Sequence, residues 1–182
     1  MTLADQVLEE LRPGLAPDVL AQLPYLSKRL ASAGRILCYG VGREGLMMKA
    51  LAMRMYHLGL DAHVVGDMTV PPVASGDVLI VSAGPGSFST VAALVKVAQN
   101  AKAQVICVTA EPDGPVPQMA DAVVQIPAQT MANDRSEATS ILPMGSLYEA
   151  LMFLFFELLV LDLRTRLGIA PDAMRANHTN ME

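Results

Sequence analysis

Tryptophan is absent from the 182-residue chain, and only four tyrosines and four phenylalanines are present. Binders of single-stranded nucleic acid stack bases on aromatic side chains, and that platform is poorly supplied here. Charge is scarce too: 17% of residues are charged, and the acidic ones prevail to give a net charge of -5. Affinity for a phosphate backbone comes from basic patches, so no nucleic-acid partner is expected. With 52% hydrophobic residues and a mean hydropathy of +0.37, intrinsic disorder is excluded. Cysteine is limited to Cys38 and Cys107, each inside a strand-like apolar run. They read as buried small hydrophobes rather than a disulfide framework or a metal site. No pair of His, Cys or carboxylates has metal-ligand spacing. No G-x-S-x-G elbow points to a hydrolase. The opening MTLADQVLEELRPG is acidic and has no basic region followed by an apolar core. No secretory signal is visible, and a reducing cytoplasm is the expected compartment.

One run, Ile141 to Leu161 (ILPMGSLYEALMFLFFELLVL), is long enough to span a bilayer. Glu149 and Glu157 lie inside it, and central carboxylates are costly to insert. Pro143 and Gly145 stand at its start, and no basic cluster follows to orient it. A helix apolar on nearly every side can instead be buried between subunits, so a homo-oligomer rather than a membrane contact is expected.

The first thirty residues read as helices. Thr2 to Leu11 has helical apolar spacing that ends at Pro13-Gly14, and Pro17-Asp18 opens a second amphipathic run to Leu30, interrupted near Pro24. After Ala33-Gly34 the pattern alternates. Strands are expected at Arg35–Tyr39, Ala62–Val65, Val78–Ser82, Val105–Thr109 and Ala122–Ile126. Helices are expected at about Glu44–Leu58, at Ser89–Ala101 and, briefly, near Val116–Met119. Continuous apolar strands separated by helix-length segments indicate a parallel sheet covered on both faces. Right-handed crossovers then make a doubly wound, three-layer α/β sandwich with a five-stranded parallel sheet. The expected organisation is one domain over residues 1–182: a helical segment, 1–33, before an α/β core, 34–182. Gln129 to Ser140 (QTMANDRSEATS) is polar and irregular, a surface loop near the mouth of the site.

Open α/β sheets bind ligands beyond the carboxyl ends of their strands. Two glycine loops occupy that position. Gly40-Val41-Gly42-Arg43-Glu44-Gly45 is formally G-x-G-x-x-G, and it serves either as a tight strand-to-helix turn or as a dinucleotide fingerprint. Asp67 stands about where the fingerprint's acidic residue would be, whereas Glu44 places negative charge where a pyrophosphate would lie. Gly84-Pro85-Gly86-Ser87-Phe88-Ser89-Thr90 is the second loop. Amides at a helix start attract an anion, and Ser87, Ser89 and Thr90 can add hydroxyls to Gly84 and Gly86; alternatively, one of them is simply an N-cap.

Glu149 follows Gly145-Ser146-Leu147-Tyr148, where close approach to a ligand is possible. A carboxylate among apolar neighbours suits a general base; a salt-bridged interface residue is the other reading. Glu157 reads as an interface partner for an arginine such as Arg164. His57, near a helix C-terminus, reads as a cap. His63 alternates along a strand and reads as structural. His178 lies in the tail and would act only if the tail docks onto a neighbouring site.

Taken together, RILCYGVGREGLMMKALAMRMYHLG, AHVVGDMTVPPVASGDVLIVSAGPG, LPMGSLYEALMFLFFELL and the terminal HTNME resemble the sugar isomerase (SIS) domain family, and within it the 6-phospho-3-hexuloisomerases. The resemblance runs from about Arg35 to Glu182. It implies a tetrameric cytoplasmic enzyme without a cofactor, acting on a small sugar phosphate. The reaction interconverts arabino-3-hexulose 6-phosphate and fructose 6-phosphate through a cis-enediol. By motif position it assigns Glu149 as base and places His57 and His178 at the site, the latter across a subunit boundary. It also has Arg43, beside Gly42, hold the sugar phosphate.

The chain departs from the family at the phosphate loop. The family's S-G-S-G-E-T reads here as Ala83-Gly84-Pro85-Gly86-Ser87-Phe88, and the serine usual after GVGR is Glu44. Three lost hydroxyl donors remove a few kcal/mol of phosphate affinity at about 1 kcal/mol each. Three uses of the scaffold therefore stand open: a sugar-phosphate isomerase, an isomerase for a different or unphosphorylated sugar, and a sensor that binds a sugar without transforming it.

Overall fold

The computed structural model describes residues 1–135 and 139–181. Three helices come first: α1 (Leu3–Leu11), α2 (Pro17–Leu20) and α3 (Leu23–Ala31). Thr2 starts α1 with a reciprocal cap, its hydroxyl accepting from the Asp5 N–H and the Asp5 carboxylate accepting from the Thr2 N–H. The interruption expected near Pro24 falls earlier, at Ala21-Gln22. Pro24 is instead inside the first turn of α3, where its missing N–H has no intrahelical partner to lose.

Five strands follow, β1 (Ile36–Tyr39), β2 (Ala62–Val64), β3 (Val78–Ser82), β4 (Gln104–Thr109) and β5 (Ala122–Gln125), all paired in parallel in the order β2-β1-β3-β4-β5. The helices α4 (Gly42–His57) and α5 (Ser89–Asn100) are crossovers, and the long α6 (Ser146–Leu167) and the short α7 (Pro171–Ala176) complete the chain. Between β4 and β5 the expected short helix is a single 3₁₀ turn, Pro117–Met119.

Alternation along the strands sorts their side chains into two cores. Ile36, Cys38, Val78, Ile80, Ile106 and Val108 face one side, packed against α3, α4 and α6. Leu37, Leu79, Val81, Val105 and Cys107 face the other, covered by Val91, Val95 and Ala98 of α5. The two cysteines are therefore free thiols on opposite faces of the sheet. The N-terminal helices share the first core, with Leu26 and Leu30 fully buried. A half-buried polar knot also joins α3 to α6: Ser27 donates to Asp162 and accepts from Arg166 Nε.

Only one face of α6 is taken up by this packing. Leu151, Phe155 and Leu159, one turn apart, are fully buried, whereas Phe153 and Leu161 on the opposite face are exposed. Among the described residues no helix is long and apolar enough to cross a membrane.

The G-x-G-x-x-G segment is a close-packed turn. Gly42 adopts a left-handed φ of +58° as the chain turns from β1 into α4. A Cβ on Gly40 would lie 2.9 Å from the Gly45 nitrogen, and one on Gly45 would lie 2.5 Å from the Gly40 carbonyl oxygen. Backbone meets backbone at both positions, so neither contact can be relieved by a side-chain rotation. Gly45→Ala gains about 1 kcal/mol of helix propensity but forces the strand end and helix apart. The net expectation is a loss of about 2 kcal/mol, a fall of roughly 4–8 °C in Tm. A melting temperature unchanged or raised would show that the turn is not close-packed.

Candidate active site

Chain order runs outward from β1 in one direction to β2 and, after β3, in the other to β4 and β5. Loops leaving β1 and β3 thus diverge to opposite faces of the sheet and open a crevice at their carboxyl ends. The two glycine loops are those two loops. A cavity of about 370 Å³ lies there, lined by Arg43, Glu44, Phe88, Met131, Tyr148 and Glu149, among others.

The segment after β3 is pinned from below. Thr109 Oγ donates to the Ala83 carbonyl at 2.7 Å, and the Gly86 N–H returns to the same carbonyl at 2.8 Å. Gly84 leaves no room for a side chain, since a Cβ there would be 2.7 Å from the Tyr148 ring and 2.8 Å from Glu44 Oε1. Glu44 occupies this floor. Its Oε2 accepts from Ser82 Oγ at 2.5 Å and from the Gly84 N–H at 3.0 Å, and the Tyr148 hydroxyl stands 3.2 Å from Ser82 Oγ. Burial raises the Glu44 carboxyl above its ordinary pKa; the bonds from Ser82 and Gly84 oppose this, and the charge of Glu149 adds a smaller upward push. The Tyr148 phenol is held well above its usual range by burial and by Glu44.

Glu149 occupies the first turns of α6, which opens at Gly145. Its side chain is 13% exposed and is ion-paired with Arg43 Nε, on a side chain that is 68% exposed. The ion pair places a carboxylate and an exposed cation together in the cavity lining. Met144, on the lip, has a φ of +57°, a conformation that a residue other than glycine seldom adopts. Gln129 holds that lip: its amide nitrogen donates to the carbonyls of Leu142 and Met144, and its amide oxygen accepts from the N–H groups of Thr139 and Ser140. The polar loop does border the site through Thr130 and Met131, but Gln129 and Thr130 are buried rather than on the surface. Residues 136–138 of that loop lie outside the described residues.

Several site expectations are redistributed. Gly42, Arg43, Glu44 and Glu149 share the cavity. Ser87, Ser89 and Thr90 are exposed around the start of α5, and Phe88 is the residue of that loop that lines the cavity. None of the three hydroxyls caps the helix: Phe88 is the N-cap, and no side chain bonds the first turn. Gly84 and Gly86 shape the loop, yet the Gly84 N–H is bonded to Glu44 and is not an open donor. Asp67 lines a separate hollow with Lys49, Tyr56 and His63. His63 meets Asp61 at 2.8 Å. Glu157 pairs with Arg54 at 3.2 Å, not with Arg164, because its helix face is turned toward α4.

The two histidines are not beside Glu149 within one chain. Crossover helices run antiparallel to the strands, so α4 starts at the carboxyl edge and ends near the amino edge. Sixteen residues carry it about 24 Å. His57, its last residue, is buried there. Through α7 the chain returns to this end of α4: the His178 ring lies 5.2 Å from that of His57, and Asn177 Nδ2 donates to the His57 carbonyl at 3.0 Å. Both histidines line a second cavity of about 580 Å³. The tail, through which His178 would act only by docking onto a neighbouring site, here packs against the chain's own α4. Glu182, the last residue of the terminal motif, lies outside the described residues.

Ser82, Tyr148, Gln129 and Met144 were not singled out from the sequence. Ser82 carried a usable signal, as the last residue of a buried strand at the edge where ligands bind. Tyr148 carried another, preceding Glu149 in the first turn of the same helix.

Residues 29–154 match the SIS domain family. A 3-hexulose-6-phosphate isomerase from Bacillus subtilis (strain 168) is 30% identical over 177 residues, covering 97% of this chain and 96% of that protein. One of the same name from Mycobacterium gastri is 35% identical over 161 residues, covering 88% and 80% respectively. Among solved structures, a Methanococcus jannaschii protein, described as one whose structure infers a 3-hexulose-6-phosphate isomerase function, superposes with a TM-score of 0.82. It is 25% identical and covers 98% of both chains. A parallel sheet of this winding, two glycine loops meeting at its switch point and this extent of matching sequence lead to one conclusion: the chain belongs to the SIS domain family.

Proposed function

We propose that the chain is a sugar-phosphate isomerase resembling 6-phospho-3-hexuloisomerase, which interconverts arabino-3-hexulose 6-phosphate and fructose 6-phosphate without a cofactor. The observation that carries this reading is the position of Glu149, a mostly buried carboxylate facing the switch-point cavity from the first turns of α6. Moving a carbonyl from C3 to C2 requires a base that takes the C2 proton and returns it to C3. Between these steps lies a cis-enediol whose oxygens exchange a proton. Glu149 supplies the base. Arg43, released from Glu149 when a ligand enters, supplies positive charge to the substrate's oxygens or phosphate. Ser87, Ser89 and Thr90, with the uncapped amides at the start of α5, form the outer anion seat.

The acid side of the reaction brings in a second copy of the chain. His57 and His178 lie a helix length from Glu149, so within this proposal they serve the cavity of a neighbouring subunit. Support comes from the outer face of α4 and α6. Leu46, Met53, Phe153 and Leu161 are exposed there, with the Arg54–Glu157 ion pair between the helices. A homotetramer assembled on such faces also accounts for an α6 that is apolar on both sides. A cytoplasmic location completes the proposal and suits the two unbridged thiols, Cys38 and Cys107.

Glu149→Gln is expected to cut exchange of substrate hydrogen with deuterated water by about 10²–10⁴-fold, while ligand affinity stays within a few-fold. An unchanged exchange rate rejects Glu149 as the base. The shared site has its own test. Mixing Glu149→Gln chains with His178→Ala chains, after mild dissociation, is expected to restore part of the activity that each lacks. Restoration requires a site built from two subunits, so its absence, with mixed assemblies confirmed by native mass spectrometry, rejects the shared arrangement.

A further inference from the structure

Glu44 is an unusual group to find at the floor of a cavity meant for an anionic sugar. It is 7% exposed, and its carboxylate holds two donors that a phosphoryl oxygen would otherwise use, the Gly84 N–H at 3.0 Å and Ser82 Oγ at 2.5 Å. The space around those donors is filled as well. The Tyr148 ring and Glu44 Oε1 press against the Gly84 backbone so closely that one added carbon would clash with both. Glu149 brings a second carboxylate to the same cavity, whereas the one cation among its described lining residues, Arg43, is already paired with Glu149. Two acidic acceptors and filled amide donors match a neutral ligand segment that donates hydrogen bonds. They oppose a dianion, since one unit charge about 8 Å away costs about 2 kcal/mol at an effective dielectric constant near 20.

The geometry points to Glu44 as the specificity-determining residue of this cavity: it selects a hydroxyl-bearing carbon chain at the floor and turns a phosphoryl group away from the Gly84 amide. The inference rests on the cavity being the sugar site proposed above. It assigns the ligand an orientation, with hydroxyls inward toward Glu44 and any phosphate outward from it. It also ranks ligands, because the native carboxylate repels phosphate esters while accepting hydrogen bonds from the hydroxyls of any sugar, phosphorylated or not.

Calorimetric titration of the full chain with inorganic phosphate, fructose 6-phosphate and fructose tests this. Glu44→Gln keeps the shape and removes the charge. It is expected to tighten phosphate and fructose 6-phosphate by about ten-fold or more, with fructose changed less than about two-fold. Glu44→Ala, which frees both donors, is expected to tighten them too. Phosphate affinity unchanged or weakened in a folded Gln variant overturns the assignment. A measurement on the unaltered chain stands independent of any variant's folding: in an amide nitrogen–proton spectrum, added phosphate is expected to leave the Gly84 resonance in place. A Gly84 amide that shifts most overturns the assignment, as does failure of phosphate to bind the native chain and both variants. Hydrogen exchange into fructose 6-phosphate is measured separately. A chain that meets these binding results without exchange loses the isomerase reading and keeps this one. Exchange with phosphate on the Gly84 amide does the reverse.

Discussion

Parallel pairing of β1 with β3 is the constraint from which the rest of the molecule follows. Those strands are joined through β2 at the sheet's edge, so the chain winds one way before β3 and the other way after it. Right-handed crossovers then put α4 and α5 on opposite faces. The backbone leaving β1 and the backbone leaving β3 are driven apart, and the gap between them must be filled by something polar or left open. Here it is partly filled, by Glu44 from the first turn of α4, and partly closed over by the start of α6.

That filling has an energetic logic. A buried carboxylate is costly unless its lone pairs are met. Ser82 and the Gly84 amide meet them, and the Tyr148 hydroxyl extends the network through Ser82. The network ties the end of β3, the second glycine loop and the first turns of α4 and α6 at one point, so the groups beside it are set before a ligand arrives. Glu149 is one residue beyond Tyr148, and the same packing that buries the phenol fixes where that carboxylate emerges. The glycines at positions 40, 45 and 84 follow from this crowding, for each stands where backbone or a packed side chain leaves no room for a Cβ. At the far end of α4 a second polar site gathers His57, His178 and Asn177, separated from the first by the length of a single helix. One helix therefore carries parts of both polar clusters at a fixed spacing.

Much of the site was legible in the residues alone. The strand ends at Tyr39 and Ser82, the glycine loops after them and the position of Glu149 at the head of an apolar helix could each be read from local pattern, because each depends on backbone sterics and side-chain periodicity within a few residues. Errors came where a partner distant in sequence decides. Glu157 found Arg54, 103 positions away, rather than an arginine one or two turns along its own helix. One of Ser87, Ser89 and Thr90 was open to being read as an N-cap, but Phe88 takes the cap position and no side chain bonds the first turn.

What the amino-acid order determined alone was the succession of elements and the parallel winding they imply; that Arg43 joins Glu149 at one site was implied only by the family resemblance. Periodicity, β-branched runs and glycine at points of close approach act over short stretches of chain and need no knowledge of the whole. Only the tertiary structure decided that Glu44 faces inward and claims the Gly84 amide, that Arg43 closes on Glu149, and that the two histidines meet each other rather than Glu149. Those outcomes depend on the direction in which each crossover helix runs relative to the sheet and on which side chains reach a shared polar atom first. Neither is encoded in any local stretch.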